Sequence, residues 1–253
     1  MLSSPYAGII GVQTTDQIAA AHWQRPINST RQLMNAARLK IVREGLVSDS
    51  DELVPYTNLS DATTLFSRFS EHLNLFSLSI KNPIDALCLD QLMVSIYERA
   101  TGNWDGFEIV SPWPSIGMLE SYRRQTGKQT TIVVRTPIKI DGHYPGKQEL
   151  ADRVHVYADT VNTVVLDFGV PGNDLLDIER AAEYLRALYA ARHCIGIGVA
   201  GGIGPHNVAK LQPLLAEFPG LSFEADVCLH GFDQRLDPTH LIEFSRTAFS
   251  LEG

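Results

Sequence analysis

Cysteine is scarce in this chain: Cys88, Cys194 and Cys228 are the only three among 253 residues, an odd number without any C-x-x-C spacing. That argues against a disulfide framework, and buried reduced thiols in a cytosolic protein are expected instead. Positive charge is also short, since 21 lysines and arginines face 29 aspartates and glutamates and leave a formal net charge of −8. Sequence-independent binding to nucleic acid or to an anionic membrane needs a basic surface, so neither partner is expected. No run of about 18 apolar residues occurs, which leaves membrane insertion unsupported. The opening MLSSPYAGIIGVQTTDQ lacks a basic stretch ahead of a long apolar one, so export is unsupported too and a cytoplasmic location is expected. The G-x-S-x-G elbow and the G-x-x-x-x-G-K-[ST] loop are both missing, which lowers serine hydrolase and nucleoside triphosphatase chemistry. The eight histidines, at positions 22, 72, 143, 155, 193, 206, 230 and 240, form no H-E-x-x-H or other compact spacing, so no metal and no cofactor is expected.

What is present is ordinary globular composition, 44% hydrophobic and 20% charged, without low-complexity tracts. Short apolar, β-branched runs alternate with longer amphipathic ones, the pattern of a parallel sheet covered by helices. Strands are expected at Ala7–Val12, Leu73–Ile80, Phe107–Val110, Thr131–Arg135, Thr163–Asp167, Ile195–Val199 and Leu221–Val227, with an ambiguous segment at Leu39–Val42 that reads as a strand or a helix end. Helices are expected at Gln17–Trp23, Ser115–Gln125, Lys147–Ala158, Asp174–Ala191, Pro205–Glu217 and Pro238–Phe249. Counting the ambiguous segment gives eight βα units in a chain of the usual length for an α/β (β/α)₈ TIM barrel, here one domain over residues 1–253; an open Rossmann-like sheet is the alternative.

The segment CIGIGVAGGIGPHNV at 194–208 contains a literal G-x-G-x-x-G at Gly196, Gly198 and Gly201. A dinucleotide fingerprint puts its glycines after a strand, whereas the first two here lie within one. The weight moves to Gly201 and Gly202, which leave the strand ahead of a helix opened by Pro205, and whose backbone N–H groups can approach an anion closely. A tight turn alone is the competing explanation.

From Trp104 onward the order of motifs resembles phosphoribosylanthranilate isomerase, the (β/α)₈ family of tryptophan and amino-acid biosynthesis. Asp105–Val110 and Thr131–Arg135 resemble the family's fourth and fifth strands, and Thr163–Asp167 its sixth, which ends in a catalytic aspartate. Val199-Ala-Gly-Gly202 followed by Pro205-His-Asn-Val208 resembles the phosphate-binding A-G-G-x-x-P-x-N-V segment, and Leu236-Asp-Pro238 the start of the last helix. Gly11–Thr14 and Asp16–Ala20 extend a fainter similarity to the first strand and helix. The resemblance implies a phosphosugar isomerase catalysing an Amadori rearrangement, acting as a monomer or homodimer on a phosphorylated sugar. That reaction needs a general acid at the ring oxygen and a general base at the C2 proton. Asp167 is the candidate acid, unless it caps a helix or sits solvated in a loop.

Departures from the family are equally visible. Its strand-1 cysteine base corresponds here to Ile10, with no thiol nearby. Asp16 is a candidate base from the first loop, although capping of the following helix suits it better. After strand 8 the family's S-S-G-V-E is replaced by Cys228–Phe232, where His230 and Gly231 are candidate phosphate contacts, along with Arg135 at the end of strand 5. The loop after strand 6 is shortened to Phe168–Asn173, and Ile140–Gly146 after strand 5, flanked by Lys139 and Lys147, either closes over a ligand or merely connects. His206 either touches phosphate or faces solvent. Glu224 and Asp226 share a strand face, the spacing of an acid/base or metal pair, with a structural ion pair as the more common outcome. A non-catalytic or repurposed phosphosugar-binding barrel, and a related aldolase or epimerase, are the alternative functions.

Overall fold

A computed structural model describes residues 4–39, 56–80, 83–127, 130–139, 143–169, 176–191 and 194–251. Eight strands run in parallel: β1 (Tyr6–Ile10), β2 (Gln32–Arg38), β3 (Leu73–Ser79), β4 (Gly106–Val110), β5 (Thr131–Pro137), β6 (Thr163–Asp167), β7 (Gly196–Ala200) and β8 (Ser222–Ala225). Each pairs with the next, and β8 returns to β1 through Ala7↔Phe223 and Gly8↔Glu224, closing the barrel. Helices α1 (Thr15–His22), α2 (Leu59–Leu65), α3 (Pro83–Ala86), α4 (Leu89–Arg99), α5 (Ile116–Thr126), α6 (Lys147–Tyr157), α7 (Ile178–Ala190), α8 (Gln212–Glu217) and α9 (Pro238–Ser250) lie between and after the strands. The (β/α)₈ barrel expected from the alternation is the fold of the chain.

Two cores follow from the period-2 alternation of strand side chains. Outward residues such as Phe76, Phe107, Ile132, Val164, Val199 and Phe223 meet the apolar faces of the helices. Inward residues form a smaller cluster of Tyr6, Ile10, Met34, Ala36, Leu75, Val133, Val165 and Ala200. Helix starts are set by local chemistry. Thr14 and Gln17 form a capping box on α1, and Asp177 caps α7. Asp237 accepts from the N–H groups of Thr239 and His240 ahead of α9, whose first residue is Pro238.

Two expected elements are displaced. The second strand is β2 at 32–38, upstream of the ambiguous Leu39–Val42; Leu39 makes an isolated bridge to Thr57, and residues 40–42 lie outside those described. Its sequence, QLMNAAR, has few β-branched residues, and its outward Asn35 is accommodated only because Nδ2 donates to Oδ1 of Asn74 at 3.2 Å. The helix expected from Pro205 begins later, because residues 205–207 form a turn, 208–211 a 3₁₀ turn and only 212–217 an α-helix. Asn207 diverts the chain: its Nδ2 donates to the Gly202 carbonyl at 2.6 Å and its Oδ1 accepts from the Gly204 N–H at 2.8 Å. The polar stretch at 48–52, residues 170–175 of the loop after β6 and residues 140–142 of the loop after β5 lie outside the described residues.

Candidate functional site

The inward face of the strands carries charge toward the C-terminal end of the barrel. Arg135 on β5 is the hub of this group. Its Nε and Nη2 donate to Oδ2 of Asp167 at 2.9 and 2.7 Å, and its Nη1 donates to Oδ2 of Asp226 at 3.1 Å. Glu108 Oε1 and Glu224 Oε2 each stand 4.0 Å from the same guanidinium. Burial alone would depress the arginine's pKa; the carboxylates of Asp167, Asp226, Glu224 and Glu108 more than offset it and hold the group charged.

Deeper in the barrel, the Tyr6 hydroxyl donates to Oε1 of Glu224 at 2.8 Å. Space for this glutamate comes from Gly8, where a Cβ would lie 2.8 Å from Glu224 Cγ and 2.8 Å from Met34 Cε. Both oxygens of Glu108 and Oε2 of Glu224 are buried without a hydrogen-bond donor. Two guanidiniums, those of Arg135 and Arg38, cannot neutralise four carboxylates in such a setting. Burial, and for Glu224 the adjacent Glu108, accordingly push both glutamates above the ordinary carboxylate range against the pull of Arg135. The inner pair therefore holds a proton to higher pH than an ordinary carboxylate does.

At the rim, Arg38 at the end of β2 pairs with Asp226 Oδ1. Burial favours the neutral aspartic acid, but Arg38 and Arg135 together outweigh it and hold Asp226 below its usual pKa. His230, four residues further on, is placed over the end of β1: a Cβ on Gly11 would lie 3.1 Å from His230 Nε2 and 3.3 Å from Arg38 Nη1. Its Nε2 is buried without a partner, and burial together with the Arg38 charge lowers its pKa, so the ring is neutral.

Beside Asp167 the turn after β7 completes the mouth. Gly201 has φ +114° and Gly202 φ +58°, and a Cβ on Gly201 would lie 2.2 Å from the Gly169 nitrogen, so only glycine lets the turns after β6 and β7 touch. The N–H groups of Gly201, Gly202 and Ile203 have no backbone acceptor among the described residues. Gly196 and Gly198 lie within β7, as expected, and a Cβ on Gly198 would press Val165 Cγ2 at 2.9 Å.

Asp167, Arg135, Gly201, Gly202 and His230 are thus gathered at one end of the barrel, although they come from four separate βα connections. Asp167 also accepts from the Gly169 N–H through Oδ1 at 2.8 Å. Asp16 is exposed in the first turn of α1, where Thr14 rather than Asp16 supplies the cap. The Gly231 N–H donates to the Arg235 carbonyl at 2.8 Å and is committed there. His206 is exposed in the turn after β7. Glu224 and Asp226 both turn toward Arg135 as members of an ion network. Sequence inspection missed Arg38, Glu108 and Tyr6. The available signal was a charged or phenolic residue at an inward position of an apolar strand, legible only with the register known.

A closed eight-stranded parallel barrel with a charged mouth at the C-terminal strand ends defines a (β/α)₈ barrel protein. No family model and no curated protein matches the chain. Solved structures do match. The phosphoribosyl anthranilate isomerase of Thermotoga maritima is 10% identical, with 96% of this chain and 98% of that one covered at a TM-score of 0.64. That of Thermococcus kodakaraensis is 15% identical over 96% and 98%, with a TM-score of 0.59. A putative aldo-keto reductase of Pseudomonas aeruginosa is 10% identical over 99% and 90%, at 0.56. The chain therefore has the fold of the phosphoribosylanthranilate isomerases, shared with barrels of other chemistry.

Proposed function

We propose that the chain binds a phosphorylated sugar at the barrel mouth and isomerises it by an Amadori rearrangement, with Asp167 as general acid and His230 as general base. The observation that carries this reading is the position of His230. Its unpartnered Nε2 lies over the end of β1, next to Ile10, the position of the family's cysteine. A neutral imidazole with a free ring nitrogen is a competent base at neutral pH, and at the end of β1 it stands three strands round the barrel from Asp167 on β6. Gly201 and Gly202 hold the phosphate through backbone N–H groups.

In the reaction, the acid protonates the furanose ring oxygen as the C1–O bond breaks, with the amine nitrogen supplying the electron pair. The base then removes the C2 proton, and the enolamine tautomerises to the aminoketose. Both oxygens of Asp167 accept hydrogen bonds in the present arrangement, so the acid step requires Arg135 to release Oδ2 and that oxygen to take up a proton from solvent before passing it to the ring oxygen. Asp226 on the same guanidinium is the alternative partner.

The test is turnover of phosphoribosylanthranilate together with calorimetric binding of the reduced 1-(o-carboxyphenylamino)-1-deoxyribulose 5-phosphate that occupies one of the matching isomerases. We expect turnover by the native chain, with Asp167→Asn and His230→Gln each lowering kcat about 10²-fold or more while the analogue still binds. Binding without turnover would leave a phosphosugar-binding barrel, a reading favoured by Ile10, whose side chain belongs to the inner apolar cluster. Failure of the analogue to bind would overturn the phosphate assignment itself.

A further inference from the structure

At the opposite end of the barrel, three residues from distant parts of the sequence converge. His22 lies in the last turn of α1, and Glu71 and His72 immediately precede β3. His22 Nδ1 is 3.0 Å from His72 Nε2, and Glu71 Oε1 lies 3.7 Å from the first nitrogen and 3.8 Å from the second. We propose that this triad is a binding site for a zinc-class divalent ion, held by two imidazoles and one carboxylate and completed by water.

The geometry carries the proposal. A triangle with these three sides has a centre about 2 Å from every corner, which matches zinc–nitrogen and zinc–carboxylate bonds of about 2.0–2.2 Å. Two imidazoles with one carboxylate select zinc and its late first-row neighbours over magnesium or calcium, which prefer all-oxygen shells. The rings are held in place before any ion arrives. Phe69 stacks on His72 with centroids 5.7 Å apart and planes at 16°, and Trp23 meets His22 edge-on at 5.3 Å. The His72 side chain is fully buried, while those of His22 and Glu71 are 31% and 50% exposed, giving an ion and its water an open side.

Charge around the site is mixed. The C-terminal carbonyls of α1 favour a cation, and Glu71 supplies a negative charge. Arg25 is the opposing positive group, but its guanidinium is turned to the carbonyls of Ser29 and Arg31. The remaining nitrogen, His72 Nδ1, has no hydrogen-bond partner. A missing outer partner of this kind weakens metal binding by about 10–100-fold, so a site of moderate affinity is expected rather than a closed structural one. The ion would tie the end of α1 to the start of β3 on the barrel face where residues serve stability. Its presence is independent of the chemistry assigned to the mouth.

The experiment strips the full chain with chelator, then titrates it with Zn²⁺ by calorimetry and with Co²⁺ by visible absorption. One equivalent should bind, with a nitrogen- and oxygen-ligated Co²⁺ spectrum lacking thiolate charge-transfer bands, and Zn²⁺ should raise Tm. His22→Ala and Glu71→Gln are the variants of choice because both side chains are partly exposed, so the fold survives their loss. Each should weaken binding at least tenfold and remove the Tm rise. If the native chain takes up no equivalent, or binds Zn²⁺ no more tightly than His22→Ala, the triad is only a hydrogen-bonded histidine pair and the proposal fails.

Discussion

Glu224 illustrates how single residues in this barrel are governed by their neighbours. A glutamate in this inward position loses hydration, faces Glu108, and gains a hydrogen bond from Tyr6 and the field of Arg135. Loss of hydration is the largest of these effects, and the folded state holds its proton to higher pH than the unfolded chain does. The resulting stability is complete below the ordinary carboxylate pKa and is lost as pH rises through the folded value. Each unit of displacement corresponds to about 1.4 kcal/mol. The native chain should therefore lose stability as pH climbs above the ordinary carboxylate range. Glu224→Gln keeps an acceptor for Tyr6 but has no proton to lose, so its urea midpoint should be flatter over the same range. Parallel pH profiles for native and variant chains would show that the inner pair does not hold a proton to higher pH.

At the scale of elements, the turns after β6 and β7 touch at the mouth. With the Gly201 Cα lying against Gly169, an alanine at 201 meets both a positive φ and a backbone clash at 2.2 Å. Backbone strain of this type costs about 1–3 kcal/mol before the clash is counted. We expect Gly201→Ala to lower Tm and to weaken binding of the phosphate analogue together. Gly117→Ala in α5 is the control, since its Cβ would meet only Ser115 Oγ at 3.7 Å and should stabilise by about 0.5–1 kcal/mol. An unchanged Tm in Gly201→Ala would mean that the two turns separate easily. The same elements explain what the sequence disclosed. β6 was legible to the residue because Thr163-Val-Val-Leu-Asp167 is β-branched and ends in a polar residue. β2 was not, because its alanines and asparagine gain strand structure only from neighbours, through Asn74 and the inner cluster. Asp167 and the glycine turn stood out as strand-end motifs. The Arg38–Asp226–Arg135 network and the His22–His72 contact join residues up to 188 positions apart, and no local spacing reports such closure.

For the whole molecule, closure is the property on which every site depends. The seam between β8 and β1 joins the two ends of the chain, and α9 covers it by packing on α1 and β1. Leu241, Phe244 and Phe249 of α9 are buried, and the Phe244 ring meets Phe223 of β8 edge-on at 6.3 Å. Burying three such side chains contributes about 5–9 kcal/mol. Net stabilities of folded domains are about 5–15 kcal/mol, so one helix carries a share comparable to the total. A chain ending at Asp237 would expose Phe223 and open the seam, and with it the register that places Glu224 and Asp226 beside Arg135. We expect this truncation to lose near-UV circular dichroism and its cooperative thermal transition, to bind a hydrophobic dye, and to lose the phosphate analogue. A truncated chain that still unfolds cooperatively near the native Tm would show that the barrel closes without its last helix, and that the mouth is assembled by the strands alone.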